Sequence, residues 1–573
     1  MNNPRLWICV LMLSACWPGG LAHEARAQED ALFGEASTSL VVEVWTRDLG
    51  VVEALSRAYD LWSYDPRVGR ALVRVPPEAC ATLLSTGLAV TIDYERSERL
   101  ARPIEADPLQ LAGIPGFPCY RTVEETFADL DTLVTAHPTL ASWVDIGDSW
   151  EKIHGPGPGY DLRALVLTNS AVAGPKYPFV VMAAIHAREL ATAELATRFA
   201  EQLLAGHGVD PDLTWVLDYG EVHIIPYLNP DGRKRAESGL SWRKNVDNNH
   251  CSNTNNRGID LNRNSTFFWG GSGSSSSACS EVFRGPSAQS EPETQAIEAY
   301  LGQVFDDQRG PNQADAAPET STGLFISLHS FGELVLFPWE GLMSPSPNDA
   351  GMAGLARKFG FFNGHLACQN SLPPAAGTTV DVAYGVYGVA AYTFEVGQDF
   401  FESCSSFESS ILNQNLAALR FAAKAARQPY AEPRGPEVLN VALSDSTVEA
   451  GTPVTLTASA NDTRSNSNGC GVEPAQAIAG ASYTVDLPPW LGASQPLAAA
   501  DGSFNATVEG LTGVLDTGAL SPGRHILFVF AQDAGGRQGP PTAIFLEVTG
   551  TTLIFEDGFE TGDTSAWTLT VPG

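Results

Sequence analysis

The sequence predicts an α/β protein with a mixed, mostly parallel central sheet flanked by helices, a small N-terminal α/β domain and a C-terminal β-sandwich module. Two features support this. In residues 118–430, continuous apolar runs such as 179–185 alternate with segments of helical spacing such as 190–204, which is typical of buried parallel strands and their crossover helices. In residues 437–549, short alternating runs rich in Thr, Ser, Val and Gly are typical of sandwich strands.

The central domain, 118–430, supplies most of the predicted sheet. Its other strand candidates lie at 221–226, 323–328 and 390–394, and a strongly helical segment, 412–427, closes the domain. Because the carboxyl ends of parallel strands open on one crevice, polar residues that follow these strands should meet there.

The strand and helix patterns of residues 28–105 predict a smaller α/β domain. A strand is expected at 39–45 and a helix at 51–62, with two further strands after it. A Pro- and Ala-containing linker, 106–117, follows. A prodomain and an accessory domain both fit this segment, and it could instead form an extra layer on the central domain.

The C-terminal module, 437–549, is expected to bind a surface or a polymer, or to serve only export and stability. An acidic, Gly-containing tail, 550–573, ends the chain. We expect neither segment to contribute to the chemistry of the central domain.

The charge balance excludes one class of function. The chain has 34 Lys and Arg against 66 Asp and Glu, a formal net charge of −32. Without a basic surplus it cannot displace counterions from a phosphate backbone, so nucleic acid is excluded as a general partner. No segment after the N-terminal leader reaches the roughly 18 apolar residues that a transmembrane segment needs.

Residues 1–27 have the organisation of a signal peptide. A basic residue precedes the apolar run 6–15, and an A-x-A site ends at Ala27. Cleavage there predicts a secreted protein, extracellular or periplasmic. The alternative is a lipoprotein processing box at 13–16, which would leave a lipid anchor on Cys16.

The polar residues that carry chemistry follow three predicted strands. His186 and Glu189 come directly after the strand 179–185, and His329 and Glu395 end two others. Imidazole and carboxylate are zinc ligands, and a catalytic zinc site needs three protein ligands and an open position. Each residue alone could be an ordinary core histidine or strand-end carboxylate, but their joint placement favours a metal site.

Six short motifs follow one another along this domain: His186-Ala-Arg-Glu189, Asn229-Pro-Asp-Gly232, Trp242-Arg-Lys-Asn245, Gly258-Ile-Asp-Leu-Asn-Arg-Asn264, Leu328-His-Ser330 and Thr393-Phe-Glu395. In these motifs and their order, residues 120–427 resemble the carboxypeptidase A-type zinc metallocarboxypeptidase family. The resemblance implies a zinc carboxypeptidase-like fold.

The resemblance also implies a catalytic centre. His186, Glu189 and His329 would hold one Zn²⁺ per chain, which lowers the pKa of its water ligand towards ~7. Glu395 would act as the general base that takes the proton of this water and passes it to the departing amine.

For the substrate, the resemblance implies that Arg243, Asn262 and Arg263 grip the terminal carboxylate of a peptide, a task that suits the planar guanidinium fork. Arg188 would polarise the scissile carbonyl or hold upstream substrate. Val380 would form the bottom of the pocket that receives the terminal side chain. An apolar floor predicts a preference for hydrophobic or aromatic terminal residues.

Two further features are interpreted from the same resemblance. Cys251 and Cys279 are expected to form a disulfide beside the 258–264 motif, whereas a pairing of Cys119 with Cys404 is a guess. The mobile tyrosine of the family falls on or near Pro373, so that either a nearby tyrosine such as Tyr384 or Tyr387 substitutes for it, or this lid contact is absent.

The function that these residues predict is a secreted, zinc-dependent carboxypeptidase acting on peptides or proteins. The rivals are an amidase or small-molecule deacylase on the same fold, and a non-catalytic binding protein. Retention of the carboxylate-binding residues disfavours a deacylase, and a complete ligand set with its general base disfavours a non-catalytic protein.

Overall fold

The computed structural model describes residues 39–101, 109–155 and 157–550. The predicted signal peptide, Cys16, the N-terminal residues 28–38, linker residues 106–108 and tail residues 551–573 lie outside the described residues. The chain divides into two units: Met1–Gly435 with Thr463–Ala475, and Pro436–Asp462 with Gln476–Gly573. In the described ranges, no helix combines the length and apolar character that crossing a membrane requires.

The first unit begins with a four-stranded antiparallel sheet of order β2-β3-β1-β4. Its elements are β1 Leu40–Trp45, α1 Leu49–Ala58, β2 Asp60–Asp65, β3 Arg70–Val75, α2 Pro77–Ser85, β4 Ala89–Ile92 and α3 Tyr94–Ala101. The expected helix at 51–62 is too long. It ends at Ala58, because Asp60, Trp62 and Tyr64 alternate as buried positions with partly exposed ones, which is the period of a strand.

An eight-stranded mixed sheet follows in the same unit, in the order β11-β10-β12-β9-β7-β8-β6-β5. Its strands are β5 Ala141–Asp148, β6 Asp161–Leu167, β7 Tyr177–Met182, β8 Gly220–Ile225, β9 Leu324–His329, β10 Leu334–Leu336, β11 Leu366–Ala367 and β12 Ala390–Glu395. The four central strands, β8, β7, β9 and β12, are mutually parallel. Their continuous apolar sequences are buried, as strands covered on both faces require.

The helices of this α/β core are α4 Val123–Ala136, α5 Trp150–His154, α6 Leu190–Gly206, α7 Pro211–Tyr219, α8 Pro230–Glu237, α9 Pro292–Val304, α10 Asp349–Asn363, α11 Thr379–Tyr387, α12 Cys404–Ser406 and α13 Leu412–Ala425. The first is held by a capping box, in which Thr122 and Glu125 satisfy each other's backbone N–H groups. The predicted α/β fold class is confirmed.

The second unit is a β-sheet module at the position predicted for the β-sandwich. Its strands pair in the order β13-β15-β18-β17-β16-β19-β20-β14, and their inward side chains form one apolar core. They are β13 Glu437–Leu443, β14 Thr447–Glu449, β15 Val454–Asn461, β16 Ile478–Val485, β17 Gln495–Ala499, β18 Val508–Leu515, β19 Gly523–Asp533 and β20 Thr542–Thr549.

Among the described residues, three disulfides cross-link the first unit: Cys119–Cys404, Cys251–Cys279 and Cys368–Cys470. Cys80 is buried and forms no disulfide with another described cysteine. The third disulfide could not be assigned from the sequence. Cys470 lies in Thr463–Ala475, between β15 and β16, and this loop groups with the first unit. The two units are therefore not separable at a single position of the chain.

Candidate active site

The crevice lies where the parallel strands of the central sheet end. β9 ends at His329 and β12 ends at Glu395, and these two residues are direct neighbours in the strand register. β7 lies on the other side of β9, and the loop that follows it carries His186 and Glu189 just before α6. The strand order therefore brings together four residues, of which the first, His186, and the last, Glu395, are more than 200 positions apart in the sequence.

Three of these residues form a compact donor set. The Nδ1 atom of His186 lies 2.8 Å from Oε1 of Glu189, and Nδ1 of His329 lies 3.3 Å from Oε2 of the same carboxylate. The two Nδ1 atoms are 3.1 Å apart. The three ligand atoms lie within 4.8 Å of one another, and each side chain is at most 4% exposed.

This donor set fits a zinc ion. Two imidazole nitrogens and a buried carboxylate converge on one point, and two facing nitrogen lone pairs repel unless a proton or a cation lies between them. The outer ring nitrogens also have partners: Nε2 of His186 lies 3.2 Å from Asp260, and Nε2 of His329 lies 2.9 Å from the Ser327 hydroxyl. Such partners orient ligand imidazoles.

Burial and neighbouring charges shift the pKa of each residue of the donor set. Burial and the Arg243 charge lower the pKa of His186, which keeps its ring neutral. Burial acts to lower the pKa of His329, but the Glu189, Glu395 and Glu340 carboxylates together raise it. Burial raises the pKa of Glu189, but both imidazoles bring it well below its usual range, so the carboxylate remains ionised.

Glu395 lies beside the donor set and lines the same cavity. Burial and the Glu189 and Glu340 charges raise its pKa to about 8, although His329 and Arg243 act in the opposite direction. A divalent cation nearby would lower this pKa again. Glu395 is thus a carboxylate in a protected position, suited to accept and return a proton.

Arg243, Asn262 and Arg263 line the cavity together with the donor set. Nε and Nη2 of Arg243 donate to Oδ2 of Asp260, at 3.2 and 2.9 Å. Arg263 donates from Nε to the Gly273 carbonyl at 2.8 Å. Two guanidinium groups beside one carboxamide make this wall a binding surface for a carboxylate.

Arg188 is fully buried and paired with the N-terminal domain. Its Nη1 and Nη2 atoms donate to the two carboxylate oxygens of Asp60, at 2.7 and 2.8 Å. Asp60, Trp62 and Tyr64 of β2 line the cavity. The Trp62 ring also packs edge-to-face on Phe400, with centroids 5.3 Å apart.

Other expected residues lie elsewhere. Val380 is buried in α11 and is not among the described residues that line the cavity. Pro373 does line it. Tyr384 is buried with its hydroxyl bonded to Asn348, and the only tyrosine among the described lining residues is Tyr64 of the N-terminal domain.

Sequence reasoning missed several residues of the site. Asp260 joins His186 to Arg243, and its place inside the 258–264 motif could have indicated it. Asn229 ties the loops of the site together by donating to the carbonyls of Ile185 and Lys244, at 3.2 and 3.0 Å. No sequence pattern indicates Asp60, because the helical spacing over 51–62 includes this position although it lies in strand β2.

Residues 126–414, about half of the chain, include this site and match the family model described as zinc carboxypeptidase. The chain belongs to the zinc carboxypeptidase family. Among curated members, carboxypeptidase A2 of Rattus norvegicus is 30% identical over 269 residues, 47% of this chain and 57% of that protein. Carboxypeptidase A5 of Macaca fascicularis is 30% identical over 295 residues, 48% of this chain and 60% of that protein.

Two solved structures share the fold. The carboxypeptidase A of Helicoverpa armigera is 21% identical with a TM-score of 0.56, and covers 69% of this chain and 98% of its own. Thrombin-activatable fibrinolysis inhibitor is 21% identical with a TM-score of 0.51, and covers 68% and 98%. The chain spans about three fifths of the length of the curated relatives that it matches.

Proposed function

We propose that this chain is a zinc-dependent carboxypeptidase that releases single residues from the C-terminus of peptides or proteins. One observation carries the proposal: the His186, Glu189 and His329 donor set, the Glu395 carboxylate and a carboxylate-binding wall share one cavity. A deacylase would have no use for that wall, and a non-catalytic protein would have no use for a buried carboxylate beside a metal site.

Substrate binding and proton transfer are carried out by different residues of the cavity. Arg243, Asn262 and Arg263 hold the terminal carboxylate, which places the last peptide bond near Glu395. The Glu395 carboxylate takes a proton from the attacking water and delivers it to the departing amine nitrogen. One zinc ion, held by the donor set, would polarise the scissile carbonyl and lower the pKa of water.

The test is hydrolysis of a blocked dipeptide with and without a chelator. We expect release of the terminal amino acid, its loss after chelation, and its return when stoichiometric zinc is added back. Bound metal, measured in parallel, should approach one ion per chain. Failure to release a terminal residue from any peptide, with zinc bound and with the chain cleaved between residues 109 and 117, would reject the proposal.

We further propose that residues 28–105 act as a prodomain. Their strand β2 occupies part of the cavity, and Asp60 sequesters Arg188, a residue expected to hold substrate. Burial would raise the pKa of Asp60, but the Arg188 charge lowers it to about 2. The contribution of this pair is therefore present at neutral pH and is lost only as the pH falls towards about 2.

Cleavage between residues 109 and 117 should accordingly raise peptidase activity, whereas a shift from pH 7 to pH 5 should not release the domain. In the uncut chain, Asp60→Asn should raise activity at least ~10-fold, because a buried ion pair that loses one partner is strongly destabilised. Asp65→Asn, on the same strand but paired with the exposed Arg67, is the matched control. Equal activity before and after cleavage would favour an accessory domain or an extra layer instead.

Secretion through the 1–27 leader, and surface or polymer binding by the C-terminal module, stay predictions. The expected preference for hydrophobic terminal residues is untested, and the residue on which it was based, Val380, is not among the described residues that line the cavity. An acidic residue of the cavity lining points to a different determinant of substrate choice.

A further inference from the structure

The wall of the cavity contains an acidic residue that no step above uses. Glu340 follows β10 and is half-buried, and its side chain lines the cavity together with Arg263 and Thr393. The Thr393 hydroxyl donates to Oε1 of Glu340 at 2.6 Å, which fixes the carboxylate on the inner wall. Burial lowers the pKa of Arg263, and the Glu340 charge opposes this only in part. Burial also acts to lower the pKa of His329, but there the Glu340 charge adds to those of Glu189 and Glu395, which raise it.

The backbone around Glu340 is held by a second carboxylate. Asp381, fully buried at the start of α11, accepts the N–H groups of Glu340 and Gly341 at 2.9 and 2.8 Å. Burial and the Glu340 charge raise the pKa of Asp381. Asp381 therefore fixes the backbone of Glu340, while the Glu340 side chain remains on the cavity side.

Glu340 lacks the arginine partner that two nearby acids, Asp60 and Asp260, have. Asp60 is paired with Arg188, and Asp260 is paired with Arg243. Within the described ranges, by contrast, no Lys, Arg or His lies within 4 Å of the Glu340 carboxylate. A charge that becomes enclosed when a ligand fills the cavity is costly unless the ligand supplies the opposite charge.

The walls around this charge are apolar. Leu336, Trp339 and Leu372 line the same cavity. A long side chain with a methylene stem and a cationic end matches such a surface, because the stem covers apolar area while the end meets the carboxylate. Aliphatic and aromatic side chains would instead enclose the Glu340 carboxylate without an opposite charge.

We infer that Glu340 is the specificity-determining residue of this site and that the preferred substrates are peptides with a C-terminal Lys or Arg. The inference rests on the proposed carboxypeptidase function and reverses the preference expected from Val380, which does not line the cavity. Arg263 and its neighbours hold the terminal carboxylate, and Glu340 holds the terminal cation.

The kinetic test uses the full chain loaded with zinc, assayed before and after cleavage between residues 109 and 117, on blocked dipeptides that differ only in a terminal Arg, Lys, Phe or Leu. We expect kcat/KM to be at least ~10-fold higher for Arg and Lys than for Phe and Leu. Glu340→Gln keeps the size of the side chain and an acceptor for Thr393. It should lower the Arg-to-Phe ratio by about 100-fold, since a charge pair loses one member.

A binding measurement tests the same point without metal or turnover. Calorimetry with N-acetyl-arginine and N-acetyl-phenylalanine should give the lower Kd for the arginine ligand, and Glu340→Gln should remove this difference. Glu408→Gln, an exposed glutamate outside the cavity, is the matched control and should leave both ratios unchanged.

The outcomes separate the two proposals. Faster cleavage of Phe than of Arg, with a ratio that Glu340→Gln does not change, overturns the role of Glu340 and leaves the carboxypeptidase function standing. Absence of cleavage for all four peptides counts against the proposed function itself.

Discussion

Replacing Glu395 with Gln should lower kcat by at least ~10²-fold while zinc stays bound, which is the range that a general base contributes. The amide fills the same volume at the end of β12 but cannot accept the proton of the attacking water. Zinc should remain, because the donor set consists of His186, Glu189 and His329. The measurement pairs kcat on a blocked dipeptide with the zinc content of the same preparation.

The matched control is again Glu408→Gln, whose side chain is 43% exposed. It should change neither kcat nor zinc content. If Glu395→Gln loses its zinc, the residue contributes to the metal site instead of acting as a base. If it keeps both zinc and full activity, the assigned role is wrong.

The central fold was predictable because its signal is local. Strands buried on both faces need continuous apolar sequence, and β7 and β9 both have it. The placement of His329 and Glu395 followed, since residues at the carboxyl ends of parallel strands meet at one edge of the sheet. The same reasoning could not define β2, whose helical spacing continues that of α1 although its buried positions alternate.

What the sequence could not provide depends on the path of the chain in space. The Cys368–Cys470 disulfide exists because a loop between two strands of the second unit groups with the first. Likewise, whether Val380 or Glu340 faces the cavity depends on which side chain of two adjacent segments turns inwards. A residue's position relative to a motif suggests a pocket, but only the packing decides its lining.

The carboxylate-binding wall gives the second large expected effect. Arg263 is held by two backbone acceptors: Nε donates to the Gly273 carbonyl at 2.8 Å and Nη1 to the Asn262 carbonyl at 2.7 Å. Both contacts orient the planar group along the cavity wall. Lysine keeps the positive charge but loses the fork and both of these contacts.

Arg263→Lys should therefore lower kcat/KM by ~10²-fold, mainly through KM, because a two-point grip on the terminal carboxylate becomes a single charge contact. A matched peptide with a C-terminal amide distinguishes binding from structure: it lacks the carboxylate, so its slow hydrolysis should be almost insensitive to the substitution. Arg198→Lys, on α6 and outside the cavity lining, is the control and should leave both substrates unaffected. An equal loss on the acid and the amide would mean that Arg263 only supports the 258–264 loop, and that Arg243 and Asn262 alone hold the substrate terminus.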